Sequence, residues 1–458
     1  MAGFSLPIWW PGRQTAPWCR TALATDASLQ GAVEAVALQL RGCGPADLAL
    51  VFASASYASD LPRLLPLLRQ KLNAKHWLGC LSSGVVGTGA DGVPHELEQE
   101  PGLSVTLLHL PGVRLHPFVI EPGPLPDLDG PAQPWLDQLG GAGNRELSAQ
   151  LAASRSMLLL LDPTCSAISD LISGLDFACP QAHKVGGIAG QHSAPHGSLL
   201  FDQQVVGGAI GCLIDGDWAL EPVVAQGCRP IGPVLEVEQA QRNVLLEVSE
   251  GNGRRNTPVA ALQEILSGLS AADRDLVKTS LFLGVARRNF SLAAMGEEAP
   301  SAFLVRNLIG VDPRNGAVAV AERMRVGQQV QFQLRDGDTS RQELRELLQS
   351  QASSNKQPLL GLLFACLGRG QGLYGVPDGD VNSCAAVYPG LPVAGAFCNG
   401  EIGPVAGTTH LHGYTACWGL LVPSPPQEKA QEGETTAGEP PDQDRPDRPQ
   451  ATNRSSSN

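Results

Sequence analysis

Residues 391–400 read Leu-Pro-Val-Ala-Gly-Ala-Phe-Cys-Asn-Gly, a short apolar run that ends in a polar turn with glycine. The same order occurs at 77–84, Trp-Leu-Gly-Cys-Leu-Ser-Ser-Gly, and at 184–190, Lys-Val-Gly-Gly-Ile-Ala-Gly. Apolar runs of this length, bounded by turn residues, predict buried β-strands. The chain therefore repeats one strand-and-turn pattern three times at long intervals.

Each of these stretches follows another apolar run and a helical segment. The apolar runs are 47–54, 156–163 and 358–366, and the helical segments are 61–72, 167–175 and 379–387. Such long spacing indicates duplicated α/β units rather than a solenoid, whose repeat spans roughly 20–50 residues. We therefore predict an α/β (mixed α+β) fold with two domains of mixed β-sheets packed with helices. Duplicated α/β units would make up this fold.

Other stretches predict local structure between these units. Residues 21–40 have helical spacing, with Asp26 or Ser28 as the capping residue. Residues 104–110 and 113–120 alternate as two paired strands do. Residues 87–92 and 370–375 match the letters of a dinucleotide-binding motif, but the strand and helix that the motif needs around it are missing. We predict no cofactor, and a hairpin connection at 87–92.

Composition limits the partners and the compartment. The net charge is −13, and nucleic-acid affinity rests largely on basic residues that neutralise phosphates, so we predict no nucleic-acid partner. The longest apolar runs, such as 362–367, are far shorter than the roughly 18 residues of a membrane-spanning helix. The N-terminal residues lack the basic start and long apolar stretch of a secretory signal. We expect a cytoplasmic protein without a membrane segment.

Cysteine and histidine patterns do not indicate a metal site. There are 11 cysteines but no Cys-x-x-Cys pair, and several cysteines sit within apolar runs as small core residues do. Structural zinc usually draws on cysteine and histidine in tight pairs. The histidines that lie close to one another in the sequence are His183, His192, His196, His410 and His412. None has a cysteine in such a pair, so we predict no metal.

The domain boundaries follow changes in composition. We predict a lead-in and helix over 1–44, a first domain over 45–239, a second over 240–422 and a tail over 423–458. The tail carries seven acidic and four basic residues and is rich in Pro, Ser and Thr. Such a segment cannot bury enough apolar area to offset its ordering entropy, so we predict that it is disordered.

Several motifs carry a family resemblance. Residues 364–370 (Phe-Ala-Cys-Leu-Gly-Arg-Gly), 392–404 (ending Asn-Gly-Glu-Ile-Gly-Pro) and 411–415 (Leu-His-Gly-Tyr-Thr) resemble the C-terminal domain of the FIST family. Residues 303–317 and 326–330 resemble earlier strands of that domain, and 77–84 and 226–233 resemble landmarks of the FIST N-terminal domain. The resemblance implies a sensory module that binds a small ligand, such as an amino acid or related metabolite. With no output domain recognised in the chain, it also implies a separate signalling partner.

The resembling motifs supply candidate ligand-binding residues. Arg369 offers a planar set of donors suited to a carboxylate, and Glu401 offers the charge suited to an ammonium group. Together they would clamp an amino acid at both ends, and glycine at 400 lets the backbone approach a ligand closely. The alternative is that the two charged residues pair within the protein and brace the turns, as buried charged residues usually do. Asn399, Thr415 and Ser82 are further candidates, with turn or strand hydrogen bonding as their alternative.

Two other functions remain open from the sequence. One is an enzyme that uses Cys366 or Glu401 with His412 on an amino-acid derivative, with Cys366 activated by Arg369. The other is a scaffold that docks a partner through the acidic tail. We favour the sensory module, without catalytic residues.

Overall fold

The computed structural model describes residues 16–287, 302–354 and 356–424. The predicted tail thus lies outside the described residues from 425 onward. All of these described residues belong to one compact unit. None of the helices within the described ranges has the length and apolar character needed to cross a membrane.

Among the described residues, the first half of the chain contains thirteen strands and five α-helices. The strands are β1 (Trp18–Ala24), β2 (Ala46–Ser54), β3 (Ala74–Ser82), β4 (Gly84–Thr88), β5 (Pro94–Leu97), β6 (Leu103–His109), β7 (Val113–Ile120), β8 (Ser156–Leu161), β9 (His183–Ile188), β10 (Leu199–Phe201), β11 (Gln204–Val206), β12 (Ala209–Gly216) and β13 (Trp218–Ala225). The helices are α1 (Leu29–Gln39), α2 (Leu61–Arg69), α3 (Gln133–Leu136), α4 (Arg145–Ala152) and α5 (Ile168–Ala178). A 3₁₀ turn (Ala55–Asp60) precedes α2, and a wide turn (Asp137–Gly141) follows α3.

The described part of the second half adds thirteen strands and five helices. The strands are β14 (Cys228–Pro230), β15 (Leu235–Gln241), β16 (Val244–Ser249), β17 (Arg255–Asn256), β18 (Leu281–Arg287), β19 (Ala302–Asp312), β20 (Ala317–Val320), β21 (Gln329–Arg335), β22 (Leu360–Cys366), β23 (Val393–Cys398), β24 (Glu401–Val405), β25 (Thr408–His412) and β26 (Ala416–Pro423). The helices are α6 (Pro258–Ser267), α7 (Ala271–Ser280), α8 (Gly337–Ala352), α9 (Gly370–Tyr374) and α10 (Gly379–Val387).

Three units with the same strand order form the main body. We call residues 18–109 the first unit, 113–216 the second, and 218–423 the third, which contains an insertion at 228–335. Each unit has a central parallel pair, β2–β3, β8–β9 or β22–β23. Its last strand lies antiparallel between the first strand and the parallel pair. The duplicated units predicted from the sequence are therefore confirmed, and there are three of them.

A glycine at the same place in each unit allows the parallel strands to meet. An ideal Cβ on this glycine would lie 1.8, 1.7 or 1.8 Å from a carbonyl oxygen of the neighbouring strand, far inside contact distance. The three pairs are Gly79 with Val51, Gly186 with Leu159, and Gly395 with Leu363. Glycine within a strand often marks such a close backbone approach. This requirement explains why glycine recurs in the three stretches quoted above.

The units exchange hairpins in a cycle. The β4–β5 hairpin of the first unit pairs with β23 of the third, β10–β11 of the second pairs with β3 of the first, and β24–β25 of the third pairs with β9 of the second. The turns also bond to one another through backbone N–H groups. These bonds run from Ser83 to the Phe397 carbonyl (3.4 Å), from Asn399 to Ile188 (3.1 Å) and from Gly190 to Leu81 (2.8 Å). Each six-stranded sheet thus combines strands of two units.

The sheets share one apolar core and carry the helices outside it. The shared core joins buried residues of all three sheets, and the Phe52 and Phe364 rings meet edge to face at 6.0 Å between centroids. Helices α1 and α2 cover the first sheet. In α2 the leucines at 61, 64, 65 and 68 are buried, which is the spacing of one helix face. Helices α3 and α5 cover the second sheet, and α8 and α10 the third.

The insertion in the third unit is a closed antiparallel barrel. Its strands follow the order β21–β15–β16–β20–β19–β18, and β18 pairs with β21 to close it. Helices α6 and α7 pack on its own core. A closed barrel has no free edge strand, which removes a surface prone to unwanted pairing. The predicted domain division at 239–240 falls within β15 and stays a prediction.

The structure confirms the mixed fold class and the hairpin at 87–92, but two local predictions are wrong. Residues 21–24 belong to β1 rather than to a helix, because they pair with β6 about 80 residues away. The helix itself begins after Ser28, whose hydroxyl accepts the Gly31 N–H at 3.1 Å. Strands β6 and β7 do not pair with each other, since β6 closes the first unit and β7 begins the second.

Candidate functional site

Glu401 occupies a position at which the other two units have an aliphatic side chain. In each exchanged hairpin, one residue pairs with the residue that follows the close-approach glycine. These pairs are Val85 with Ala396, Leu199 with Cys80, and Glu401 with Gly187. All three hairpin residues are fully buried. Acidic residues are almost never fully buried unless they have partners. Since apolar residues fill the equivalent positions of the other two units, packing alone does not require an acidic residue at position 401.

The environment of the Glu401 carboxyl disfavours its charged form. Its Oε2 accepts the Thr415 N–H at 3.1 Å, and its Oε1 has no hydrogen-bond partner within the part of the chain that the structure describes. Burial raises the pKa of Glu401 well above its usual range, although the Thr415 N–H and the Arg369 charge act in the opposite direction. A carboxyl whose charged form is disfavoured is a poor counter-ion for an ammonium group. This geometry favours a bracing role for Glu401 over the predicted clamp.

Arg369 is fully buried and uses its donors within the protein. Its Nε and Nη2 donate to the two carboxylate oxygens of Asp380 at 2.8 and 2.7 Å, and Nη2 also donates to the Tyr374 hydroxyl at 2.5 Å. Its Nη1 donates to the Tyr414 carbonyl at 3.4 Å. Burial alone would lower the pKa of Arg369, but Asp380 outweighs it and the pKa is raised. The guanidinium therefore braces the turn, which is the alternative considered from the sequence.

Glu96 attaches the exchanged hairpin of the first unit to this cluster. Its Oε1 accepts the N–H groups of Asp380 and Val381 at 2.9 and 2.8 Å, at the beginning of α10. Asp378 in turn accepts the Glu96 N–H at 2.7 Å. Burial, and then the nearby Asp380, raise the pKa of Glu96 to about 8. These charged groups join two units, so the cluster has a structural role.

The remaining predicted residues lie at turns. The Ser82 hydroxyl donates to the Ala53 carbonyl at 3.3 Å, and the exposed Asn399 donates to the Ala189 carbonyl at 3.0 Å. The Thr415 hydroxyl donates to the Gly413 carbonyl at 3.2 Å. Gly400 is buried beside the hairpin. The structure therefore brings Glu401 and Thr415 into contact, with Arg369 nearby, while Ser82 belongs to the first unit.

Cys366 and His412 do not form an activated nucleophile. Burial, and then Glu401, raise the pKa of the half-buried Cys366 thiol to about 11, so the thiolate is scarce at neutral pH. Burial lowers the pKa of His412 to about 3. Its Nε2 lies 3.0 Å from the Gly403 carbonyl rather than against the thiol. The arrangement lacks the thiol-to-base hydrogen bond that covalent catalysis uses.

A cleft of about 310 Å³ lies where three parts of the chain meet, and we call it the barrel cleft. Helix α5 of the second unit forms one wall through Ser169, Ile172 and Ser173. Residues 409–413 of the third unit form another, and residues 305–307 and Ala321 of the barrel form the third. The volume is at the lower end of the roughly 300–1,000 Å³ typical of small-ligand sites.

The hairpin wall of the barrel cleft is fixed to the second unit. Asp176 of α5 accepts both the N–H and the hydroxyl of Thr409, at 2.8 and 2.7 Å. The fully buried Lys184 lies 2.8 Å from the same carboxylate and also donates to the carbonyls of Cys179 and Ala182. This network holds β25 against α5, so the cleft has a defined shape.

His412 lines the cleft and carries a buried hydrogen-bond acceptor. Because the Gly403 carbonyl can only accept, the Nε2 that contacts it carries the proton. The Nδ1 is then a lone pair, and it has no partner among residues 16–287, 302–354 and 356–424 although His412 is only 4% exposed. Burial also lowers the pKa of His410 to about 4, with Arg287 and Arg306 acting in the same direction. Both imidazoles are therefore neutral at physiological pH.

Arg306 contributes a cation. Its Nε donates to Glu322 at 2.6 Å and its Nη1 to the Leu411 carbonyl at 3.0 Å, while Nη2 makes no hydrogen bond to any described residue. Arg287 contacts the other oxygen of Glu322. Two guanidinium groups thus share one carboxylate beside the cleft. A binding site here can offer a positive charge and an apolar wall.

Sequence reasoning missed this cleft because its walls are far apart in the chain. Their spacing in the sequence places His410 and His412 on one face of a strand, and in the structure the centroids of their rings lie 6.3 Å apart. The partner residues on α5 and β19 are more than 100 positions away from them. No local pattern connects these segments, so only the folded chain shows the site.

Comparison with known proteins gives two family matches. A model described as the FIST N domain matches residues 47–250, and one described as the FIST C domain matches residues 258–404. An uncharacterised protein of Mycobacterium tuberculosis is 32% identical over 419 residues, which cover 90% of this chain and 98% of that protein. An uncharacterised protein of Mycobacterium bovis is 31% identical over 407 residues, covering 88% and 97%. The resemblance predicted from the sequence is confirmed.

Proposed function

We propose that this chain, which belongs to the FIST family of sensory, ligand-binding domains, binds a small ligand in the barrel cleft and passes the signal to a separate protein. The observation that carries the proposal is the composition of the cleft walls, which come from the second unit, the third unit and the barrel. A ligand that contacts all three would stabilise one arrangement of them. A ligand shifts an equilibrium only through such differential contacts.

The ligand class follows from size and from the family. A cleft of about 310 Å³ suits a molecule of the size of an amino acid or a related metabolite. The free thiols of all eleven cysteines support a reducing compartment, and we place the protein in the cytoplasm. The FIST family is sensory rather than catalytic, and the protonated thiol of Cys366 also supports a function without turnover.

The first test is a thermal-shift screen of amino acids, organic acids and nucleotides, repeated with Ser173→Trp. Ser173 is exposed on α5 and lines the cleft, so an indole there fills the site without entering the core. A ligand at 100 times its dissociation constant stabilises the protein by about 2.7 kcal/mol, and this shift should disappear in Ser173→Trp. Ser350→Trp is the matched control, because Ser350 is equally exposed on α8 and lies elsewhere.

A ligand shift that survives in Ser173→Trp would place the site elsewhere and reject the barrel cleft. Cys366→Ser separates sensor from enzyme. A sensor should bind its ligand unchanged with the same affinity in this variant, whereas a thiol enzyme would lose turnover. Conversion of any bound compound by the wild type, abolished in Cys366→Ser, would favour the enzyme.

A further inference from the structure

Arg335 is a buried cation without a counter-ion. It is the last residue of β21, where the barrel meets the third unit, and it is only 7% exposed. Its Nη2 donates to the Gly368 carbonyl, but no carboxylate of the described residues forms an ion pair with it. Arginine is almost never buried to this extent unless it is paired, and its guanidinium keeps its proton in proteins. The junction therefore holds an uncompensated positive charge.

The charged groups around Arg335 do not balance it. Burial, and then the like charge of Arg369, lower the pKa of Arg335, while Arg369 itself is paired with Asp380 at 2.7 Å. Asp336, the next residue in the chain, accepts hydrogen bonds from other residues. Burial raises the pKa of Glu401 well above its usual range despite the charges of Arg369 and Arg335, so this carboxyl is a poor counter-ion. An anion from outside the chain would supply the missing charge.

One end of the Arg335 guanidinium can be reached. Its Nε is enclosed without a partner, whereas its Nη1 makes no hydrogen bond to a described residue and is not enclosed. A glycine leaves this end open, since an ideal Cβ on Gly368 would lie 3.6 Å from Nη1 and 2.9 Å from two carbons of the Tyr414 ring. Gly368 is half-buried and Leu367 is exposed, so the gap beside Gly368 lies near the surface.

Tyr414 holds the guanidinium in place. The Cζ of Arg335 lies 4.7 Å from the centroid of the Tyr414 ring, and the Phe282 ring meets the same ring edge to face at 5.0 Å. The φ of Tyr414 is +64°, a left-handed conformation that costs a bulky residue about 1–3 kcal/mol and persists only where its surroundings impose it. Strained residues of this kind cluster at ligand clamps. The donor is thus oriented before an anion arrives.

We propose that a small oxyanion, either phosphate or a carboxylate, binds to Nη1 of Arg335 in the gap beside Gly368. The planar guanidinium suits the oxygens of either group, and its hydrogen bonds to them are charge-assisted. Arg335, Gly368 and Tyr414 do not line the barrel cleft, so this is a second site and does not rest on the proposed function. The bound anion would compensate the buried charge between the barrel and the third unit.

The test is equilibrium dialysis of the full chain at pH 7 against radiolabelled phosphate and, separately, radiolabelled acetate, in a constant chloride background. We expect one oxyanion per chain, and the better-bound probe identifies the group that the site takes. Arg335→Gln should weaken binding roughly tenfold or more, the effect of losing a charge-assisted hydrogen bond. Arg314→Gln is the matched control, because it removes the same charge from an exposed position of the barrel and should bind like the wild type. Binding of neither probe, or equal losses in the two variants, would overturn the proposal.

Two further variants locate the anion. Gly368→Ala keeps the charge of Arg335 but places a methyl group beside Nη1, so it should also weaken binding. Ser173→Trp fills the barrel cleft and should leave oxyanion binding unchanged, whereas a loss there would move the anion to the cleft and contradict the Arg335 site.

Arg335→Met separates an anion site from a brace of the loop. Without oxyanion this variant should melt no lower than the wild type, because the uncompensated charge is gone, and it should not bind the anion. A lower melting temperature together with undiminished anion binding would show that Arg335 only braces residues 366–368. Circular dichroism of each variant shows that it remains folded.

Discussion

Replacing Asp380 with asparagine tests whether the Arg369 cluster holds the third unit together. In the wild type the carboxylate accepts Nε and Nη2 of Arg369 and the Tyr374 hydroxyl, and both charged side chains are completely buried. An asparagine presents an amide N–H₂ to one of these donors and leaves the guanidinium without a full counter-charge. Removing one partner of a buried ion pair costs about 3–5 kcal/mol, and we expect a loss of that size in unfolding free energy.

The assay is urea unfolding at pH 7 followed by circular dichroism, with a double-mutant cycle. Arg369→Met together with Asp380→Asn should be less destabilised than the sum of the single variants, because the uncompensated charge is gone. Asp338→Asn is the control, since its ion pair with Arg341 lies at the surface and contributes little. A loss below about 1 kcal/mol in Asp380→Asn, or strict additivity, would refute the bracing role and return Arg369 to the ligand clamp.

Three further changes test other parts of the fold. Folding raises the pKa of Glu96 from 4.5 to about 8, so its contribution to stability is present below about pH 4.5 and is lost as the pH rises toward 8. Glu96→Gln should therefore flatten the pH dependence of the urea unfolding midpoint between pH 5 and 8. An unchanged slope in this variant would contradict the role of Glu96. Gly186→Ala should cost about 3 kcal/mol or more, because its Cβ would lie 1.7 Å from the Leu159 carbonyl oxygen, whereas Gly372→Ala has open space and should melt like the wild type. Asp176→Asn should speed hydrogen exchange at Thr409, and unchanged protection there would show that β25 is held by other contacts.

The repeated units could be read from the sequence because their signals are local. An apolar run, a helix and a glycine-containing turn are each encoded within about ten residues, and α10 was predicted with the bounds that the structure shows. What the sequence did not show is which strands become partners. Strands β6 and β7 alternate alike, yet they belong to different sheets.

The candidate site was harder to predict because partners decide the state of each charged residue. Arg369 and Glu401 suggest a clamp when they are considered alone. In the folded chain the carboxylate of Asp380, eleven residues after Arg369, binds the guanidinium, and burial raises the pKa of Glu401 well above its usual range. The hairpin exchange brings Glu96 to the same place from nearly 300 positions away. Contacts between residues so far apart in the chain depend on the strand topology, and local sequence patterns do not reveal that topology.

The cyclic exchange of hairpins also explains why the barrel cleft occurs in the third unit. The hairpins β4–β5, β10–β11 and β24–β25 occupy equivalent places on their host sheets. The barrel is inserted in the third unit alone, and through Arg306 its strand β19 donates to the Leu411 carbonyl of that unit's hairpin. The same hairpin pairs with β9 of the second unit and is fixed to α5 by Asp176. A ligand in the cleft would therefore touch a hairpin that connects the barrel to another unit. Under the proposed function, binding there would change how firmly the barrel is held to the three-sheet body, and a signalling partner would then meet a surface that differs between the free and bound states.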